Sequence, residues 1–280
     1  MARDVVSRRK WVHTPTLEEY SQDFAEYFKF KRENGILECR MHYDDGPVVY
    51  SYQMHNAITR LWSVIGHDLE NEVIIFTGTG DEWISTYDHG AFAEFDNTTT
   101  DRKYNVEIFD TMKIVEDLIN DIEVPIIVAF NGSGVHWEMG MFSDITLAVP
   151  DFVMRDDHVA LGAVAGDGMF LAMQHLLGYK RANWFTYFNQ ELTAQELLEA
   201  GLINEIVEPD KLLDRAWEIA RDLMKVPRNT RRLTHALAFR PWQRALNDDF
   251  RLHVLAEMYK KNAENSPESF QNNKEYSKRS

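Results

Sequence analysis

Three short runs, Val73–Thr77, Pro125–Phe130 and Ile145–Val149, are rich in branched apolar residues and alternate little with polar ones. Strands built from them must bury both faces, the condition of a parallel sheet covered by helices. Helix-length segments lie between them. Ser51–Leu69 sets Met54, Ile58, Leu61, Trp62 and Ile65 at helical spacing, and Val106–Ile122 does the same with Ile108, Met112, Val115 and Ile119. The alternation predicts an α/β core, because parallel neighbours need a crossover that a helix supplies. Ahead of it, Phe28–Arg32 and Ile36–His42 flank Glu33-Asn34-Gly35, a hairpin signal.

The later part of the chain reads as mostly helical. Phe170–Leu177, Arg181–Phe188 and Ala194–Ala200 are short helices, the last stopped by Gly201. Leu212–Met224 is longer and ends before Pro227, and Thr230 to about Asn262 is mostly helical. Trp242, Leu246, Phe250, Val254, Leu255 and Met258 offer more apolar surface than a lone tail helix hides. They must pack on their own core or on another subunit. The expected organisation is a polar arm over 1–20, a core over 21–208 and a helical C-terminal region over 209–280.

A net charge of −15 argues against nucleic acid and anionic membrane surfaces, which select clustered Lys and Arg. No apolar run approaches the roughly 18 residues of a membrane span. The basic N-terminus lacks the apolar stretch of a secretory signal. The single cysteine, Cys39, rules out an internal disulfide and offers no cysteine-based metal site. A cytoplasmic protein is expected.

Chemistry concentrates in Asp156 to Met169, which reads Asp-Asp-His-Val-Ala-Leu-Gly-Ala-Val-Ala-Gly-Asp-Gly-Met and sets His158 and Asp167 nine residues apart. Gly162, Gly166 and Gly168 let this loop fold back on itself. A carboxylate beside an imidazole fixes its tautomer and stabilises the imidazolium, so His158 is a candidate general base oriented by Asp167. On spacing alone a structural pairing is the commoner case. A second histidine, His136, follows the second strand run in Asn131-Gly-Ser-Gly-Val-His-Trp-Glu. The triplet His136, Glu138 and His158 lacks metal-ligand helix spacing, so no metal is expected. Gly78-Thr79-Gly80 lacks the Lys of a phosphate loop. Neither Ser133 nor Ser143 lies in a nucleophile elbow.

Five segments, taken in order, carry a resemblance. They are Glu72-Val-Ile-Ile-Phe-Thr-Gly-Thr-Gly, Val124-Pro-Ile-Ile-Val-Ala-Phe-Asn-Gly, Ser143-Asp-Ile-Thr-Leu-Ala, Leu176-Leu-Gly-Tyr-Lys-Arg-Ala, and Glu191-Leu-Thr-Ala-Gln-Glu-Leu-Leu-Glu-Ala-Gly-Leu-Ile-Asn-Glu-Ile-Val. Over about residues 25 to 260 the chain resembles the crotonase (enoyl-CoA hydratase/isomerase) superfamily. The resemblance implies a crotonase-like fold of repeated ββα units with a C-terminal helical trimerisation region, assembled as a homotrimer or a dimer of trimers. It also implies a site that stabilises an enolate with two backbone N–H groups.

Departures from the CoA-processing members narrow the expectation. Trp83-Ile-Ser-Thr-Tyr-Asp replaces a small-residue loop with glycine, and Gly134-Val135-His136-Trp137 replaces a glycine run. Of the two glutamates of a hydratase, Glu138 matches one position and His158 occupies the other. These features resemble the branch of β-diketone hydrolases that includes 6-oxocamphor hydrolase. That likeness implies His158, Asp167, His136 and Glu257 as catalytic residues, with Tyr50 standing where the branch carries Trp. Tyr50, Trp83, Trp137 and Glu138 are then the residues expected to meet substrate; of the further aromatics, Tyr87, Phe92 and Phe152 are expected in the core. The implied reaction is cofactor-independent hydrolytic cleavage of a C–C bond in a small 1,3-diketone (retro-Claisen) to a keto acid. Two alternatives stand beside it: an acyl-CoA hydratase, isomerase or hydrolase, and a non-catalytic scaffold of the same fold.

Overall fold

The computed structural model describes residues 13–91 and 105–263. Its strands are β1 (Phe28–Glu33), β2 (Ile36–Met41), β3 (Val49–Tyr50), β4 (Val73–Thr77) and β5 (Thr86–Tyr87). They continue as β6 (Ile126–Phe130), β7 (Ile145–Ala148), β8 (Val153–Met154), β9 (Leu192–Thr193) and β10 (Glu205–Ile206). The main sheet runs β1-β2-β4-β6-β7-β10. Only β1 is antiparallel to its neighbour, joined to β2 by the expected hairpin. Asn34 and Gly35 both take positive φ there, +51° and +83°, as a two-residue turn matched to strand twist requires. Every residue of β4 and β6 is buried, in keeping with their unbroken apolar runs. The short pairs β3–β5 and β8–β9 carry no sequence pattern long enough to read; β3–β5 sets Tyr50 beside Tyr87.

Helix Tyr52–His67 starts where the Ser51 hydroxyl accepts from the Met54 N–H at 3.1 Å, and its whole predicted stripe is buried. The expected 106–122 helix is a π-helical turn, Asn105–Asp110, leading into an α-helix, Thr111–Asp121. Part of the expected polar arm is helical: Leu17–Asp23 opens with a Thr16–Glu19 capping box and buries Tyr20.

The C-terminal helices are packed into the same core. Helix Leu212–Met224 lies against β4, β6 and β7 and buries Trp217, whose indole N–H donates to Glu38 at 2.6 Å. Helix Arg228–Ala245 is pinned by buried Arg231 on Glu72 (2.5 Å) and by buried His235 between Asp144 and the Ile122 carbonyl. A π-helical turn at Leu246–Phe250 leads into helix Arg251–Ala263, where Val254 and Met258 are buried. Leu233, Leu237, Leu252, Leu255 and Tyr259 stay exposed on the single chain. No helix among the described residues is long and apolar enough to cross a membrane.

Candidate active site

A cavity of about 450 Å³ collects Tyr50, His136, His158, Asp167 and Glu257 on one wall system, within the range of small-molecule pockets. Residues 207 positions apart in sequence thus meet, because β3, the loop after β6, the loop after β8 and the last helix all end at the same rim. Tyr52, Val135, Leu161, Ala163, Met169 and Met258 supply its apolar surface. Two expected wall residues are elsewhere. Trp83 is fully buried against Phe76 and Phe130, with ring centroids 5.8 and 4.7 Å away. Trp137 is equally buried, its N–H on the Arg155 carbonyl at 2.9 Å. Large apolar rings in the interior of a sheet protein are worth more to the core than to a ligand, and spacing does not separate the two uses. Phe152 stacks on Phe130 in the core, as expected; Tyr87, expected there too, borders the cavity instead; Phe92 lies outside the described residues.

Glu138 also leaves the wall. It is wholly buried behind His136, with Oε1 2.8 Å from Nδ1, while Nε2 lies 2.7 Å from the Tyr50 hydroxyl. Burial pulls the His136 pKa down, but the Glu138 charge and hydrogen bond outweigh it and the net shift is upward. Burial holds the Tyr50 phenol protonated well above its ordinary range. The result is a buried carboxylate–imidazole–phenol chain ending at the cavity. His136 sits in the left-handed region at φ +56°, a conformation costly for a side-chain-bearing residue and held by its surroundings. A Cβ on Gly134 would come within 2.4 Å of the Ile84 backbone, so glycine lets the two segments touch. There the Val135 N–H donates to the Ile84 carbonyl at 2.8 Å. The Val135 amide is thus committed and not free to donate to a substrate oxygen, whereas Tyr50 and His136 border the cavity.

His158 departs from expectation in its partner. Its Nδ1 is 2.7 Å from Asp156 Oδ1, which also accepts the His158 backbone N–H at 3.0 Å. Asp167 Oδ2 lies 3.7 Å from the other nitrogen, Nε2. The orienting carboxylate is thus Asp156, and Asp167 faces the working nitrogen across a gap. An Asp two residues before the His caps its N–H as an Asx turn, the local signal that could have identified it. Burial opposes the charged ring, yet Asp167, Asp156 and Glu257 outweigh it and push the His158 pKa up to about 10. That direction favours the imidazolium at neutral pH.

Ligating atoms of His158, Asp167 and Glu257 lie within 4.8 Å of one another, so this group, not His136–Glu138–His158, has the spacing to hold a metal. Gly166 makes the cluster possible: a Cβ there would meet the His253 carbonyl at 2.3 Å and Glu257 Cβ at 2.7 Å. Gly166→Ala should push the loop off the last helix, lower stability by about 1–3 kcal/mol and slow turnover; thermal melts beside kcat check it. Retained activity would mean the helix position is unimportant. His55, with its ring 5.3 Å from that of His136, and Arg155 also line the cavity and were not anticipated. Ser133 and Ser143 hold backbone groups instead of facing the cavity.

Residues 34–278 match the family model described as enoyl-CoA hydratase/isomerase. A short-chain-enoyl-CoA hydratase of Clostridium acetobutylicum is 30% identical over 166 residues, spanning 57% of this chain and 60% of that protein. Among solved structures, a beta-diketone hydrolase from the cyanobacterium Anabaena sp. PCC 7120, bound to (S)-3-oxocyclohexyl acetic acid, is 32% identical with a TM-score of 0.80. It covers 89% of this chain and 98% of its own. An enoyl-CoA hydratase/isomerase from Mycobacterium paratuberculosis has a TM-score of 0.78 at 21% identity, covering 90% and 98%, a likeness of fold.

Proposed function

The chain belongs to the enoyl-CoA hydratase/isomerase family, and within it we propose a hydrolase that cleaves a C–C bond of a neutral 1,3-diketone to a keto acid. The observation that carries this reading is the replacement of a backbone donor by side chains. Val135 N–H is committed to Ile84, while Tyr50 and His136 border the cavity. The likeness to the Anabaena beta-diketone hydrolase supports it.

The charge state of the cluster assigns the proton transfers. With His158 already protonated, a carboxylate, Asp167 or Glu257, accepts the proton of water. Hydroxide forms a C–O bond to one ketone carbon. The tetrahedral intermediate expels its neighbour, and the C–C bonding pair departs into an enolate. The Tyr50 hydroxyl, backed by His136 and Glu138, donates to the oxygen on which that charge settles. His158 gives its Nε2 proton to the enolate carbon and recovers one from the protonated carboxylate. Water and diketone become one acid and one ketone, with the cluster restored. Cofactor chemistry is not required, because the remaining carbonyl stabilises the departing carbanion.

The test is turnover. The purified chain should convert the bicyclic 1,3-diketone that opens to 3-oxocyclohexyl acetic acid, detected by chromatography, and leave crotonyl-CoA unhydrated. Hydration of crotonyl-CoA with no acid from any diketone in a cyclic and open-chain panel would overturn the reading.

A further inference from the structure

The reaction turns a neutral molecule into an anion beside Asp167 and Glu257, whose charges oppose it. Arg155 is the one Lys or Arg among the described residues lining the cavity, and its half-exposed side chain places it at the rim. Its Nη2 donates to Asp157 and its Nη1 to Glu191, each at 3.0 Å, and Nε lies 2.7 Å from Asp157 Oδ1 as an ion pair. A guanidinium has five N–H donors. Only two of them are used in these bonds, and each terminal nitrogen keeps one N–H without a partner among the described residues, available to a carboxylate. The fork is also fixed in direction. Asp157 is held by Asn189 Nδ2 at 3.2 Å, and the Arg155 carbonyl is anchored by the buried Trp137 N–H. Exposed pairs such as Arg155–Glu191 are weak in water, so they compete little with an arriving anion. A surface staple explains the contacts to Asp157 and Glu191. It does not explain a cation that borders an acid-lined cavity and keeps N–H donors in reserve.

We propose that Arg155 forms a carboxylate-binding subsite at the cavity rim, which receives the acid product as it leaves the reacting cluster. The inference rests on the diketone hydrolase reading and adds a second station to it. Substrates without a charge pass the rim unaided; a carboxylate is drawn away from Asp167 and Glu257 and handed to Arg155. The subsite also sets how strongly product inhibits.

Calorimetry on the full chain with (S)-3-oxocyclohexyl acetic acid and with its uncharged methyl ester separates subsite from cavity. Arg155→Gln should weaken the acid about tenfold or more and leave the ester unchanged, which also reports that the cavity is intact. Arg155→Lys should recover part of the loss, since a point charge replaces a fork. Equal acid affinity in wild type and Arg155→Gln, equal weakening of acid and ester, or ester binding without acid binding in wild type would each overturn the subsite. Binding of neither compound to wild type would overturn the diketone reading and the subsite with it.

Discussion

His158→Ala should reduce diketone turnover by roughly 10²–10⁴-fold, the usual contribution of a positioned acid or base, with substrate affinity little changed. The pH profile separates the two roles this ring can take. As an imidazolium donor with its pKa pushed up to about 10, it is competent through neutrality and loses its proton as pH rises through that value. The rate should therefore hold at neutral pH and fall on the alkaline side. Asp156→Asn removes one carboxylate that raises the pKa, so the alkaline limb should move to lower pH while the fold stays intact. A rate that instead climbs with pH through the ordinary histidine range, about 6.5, with no alkaline limb, would return His158 to the role of neutral base. Asp167→Asn should also be severe, because it removes a candidate proton acceptor while leaving the Asp156 hydrogen bond in place.

Removing the donors opposite should cost nearly as much. A hydrogen-bond donor aimed at developing negative charge contributes about 2.7–4 kcal/mol, roughly 10²–10³ in kcat. Tyr50→Phe is the direct variant, deleting one hydroxyl from the cavity wall. His136→Ala should be at least as damaging to catalysis and should also lower the melting temperature, since it strips buried Glu138 of its Oε1 partner. Glu138→Gln removes the charge that raises the His136 pKa, and should lower kcat with less effect on KM. Unchanged kcat in Tyr50→Phe and Glu138→Gln would show that the chain from Glu138 through His136 to Tyr50 only fills space.

How much of this the sequence discloses depends on whether a residue acts through a period or through a meeting. The β4 and β6 runs, the Met54–Ile65 stripe and the Asn34-Gly35 turn announce themselves because burial and twist repeat at fixed spacing. Two-residue strands such as β3 and β5 have no period to show, although they place Tyr50. His158, Asp167, His136 and Glu257 were legible through motif likeness, and the fold does bring them to one cavity. Their pairings were not legible. Asp156 took the Nδ1 position because a capping turn two residues away is shorter than a loop of nine. Trp83 and Trp137 lie beneath the wall and not on it, and an aromatic beside a site and an aromatic beneath it have the same one-letter surroundings. Arg155 has no local signal; its role depends on Asn189 and Glu191, more than thirty residues away.

The tie between the Val135 amide and the Ile84 carbonyl bears on how such a catalyst is redesigned or drifts. Side chains can be exchanged one codon at a time, but a peptide group has no alternative allele. Restoring a thioester-type oxyanion site would demand that two loops separate and that His136 abandon its left-handed geometry in the same step. Intermediates on that route lack both sets of donors. Directed evolution toward acyl-CoA substrates should therefore stall in libraries that vary only wall residues, and progress only where insertions or deletions near Asn131–Trp137 re-lay the main chain.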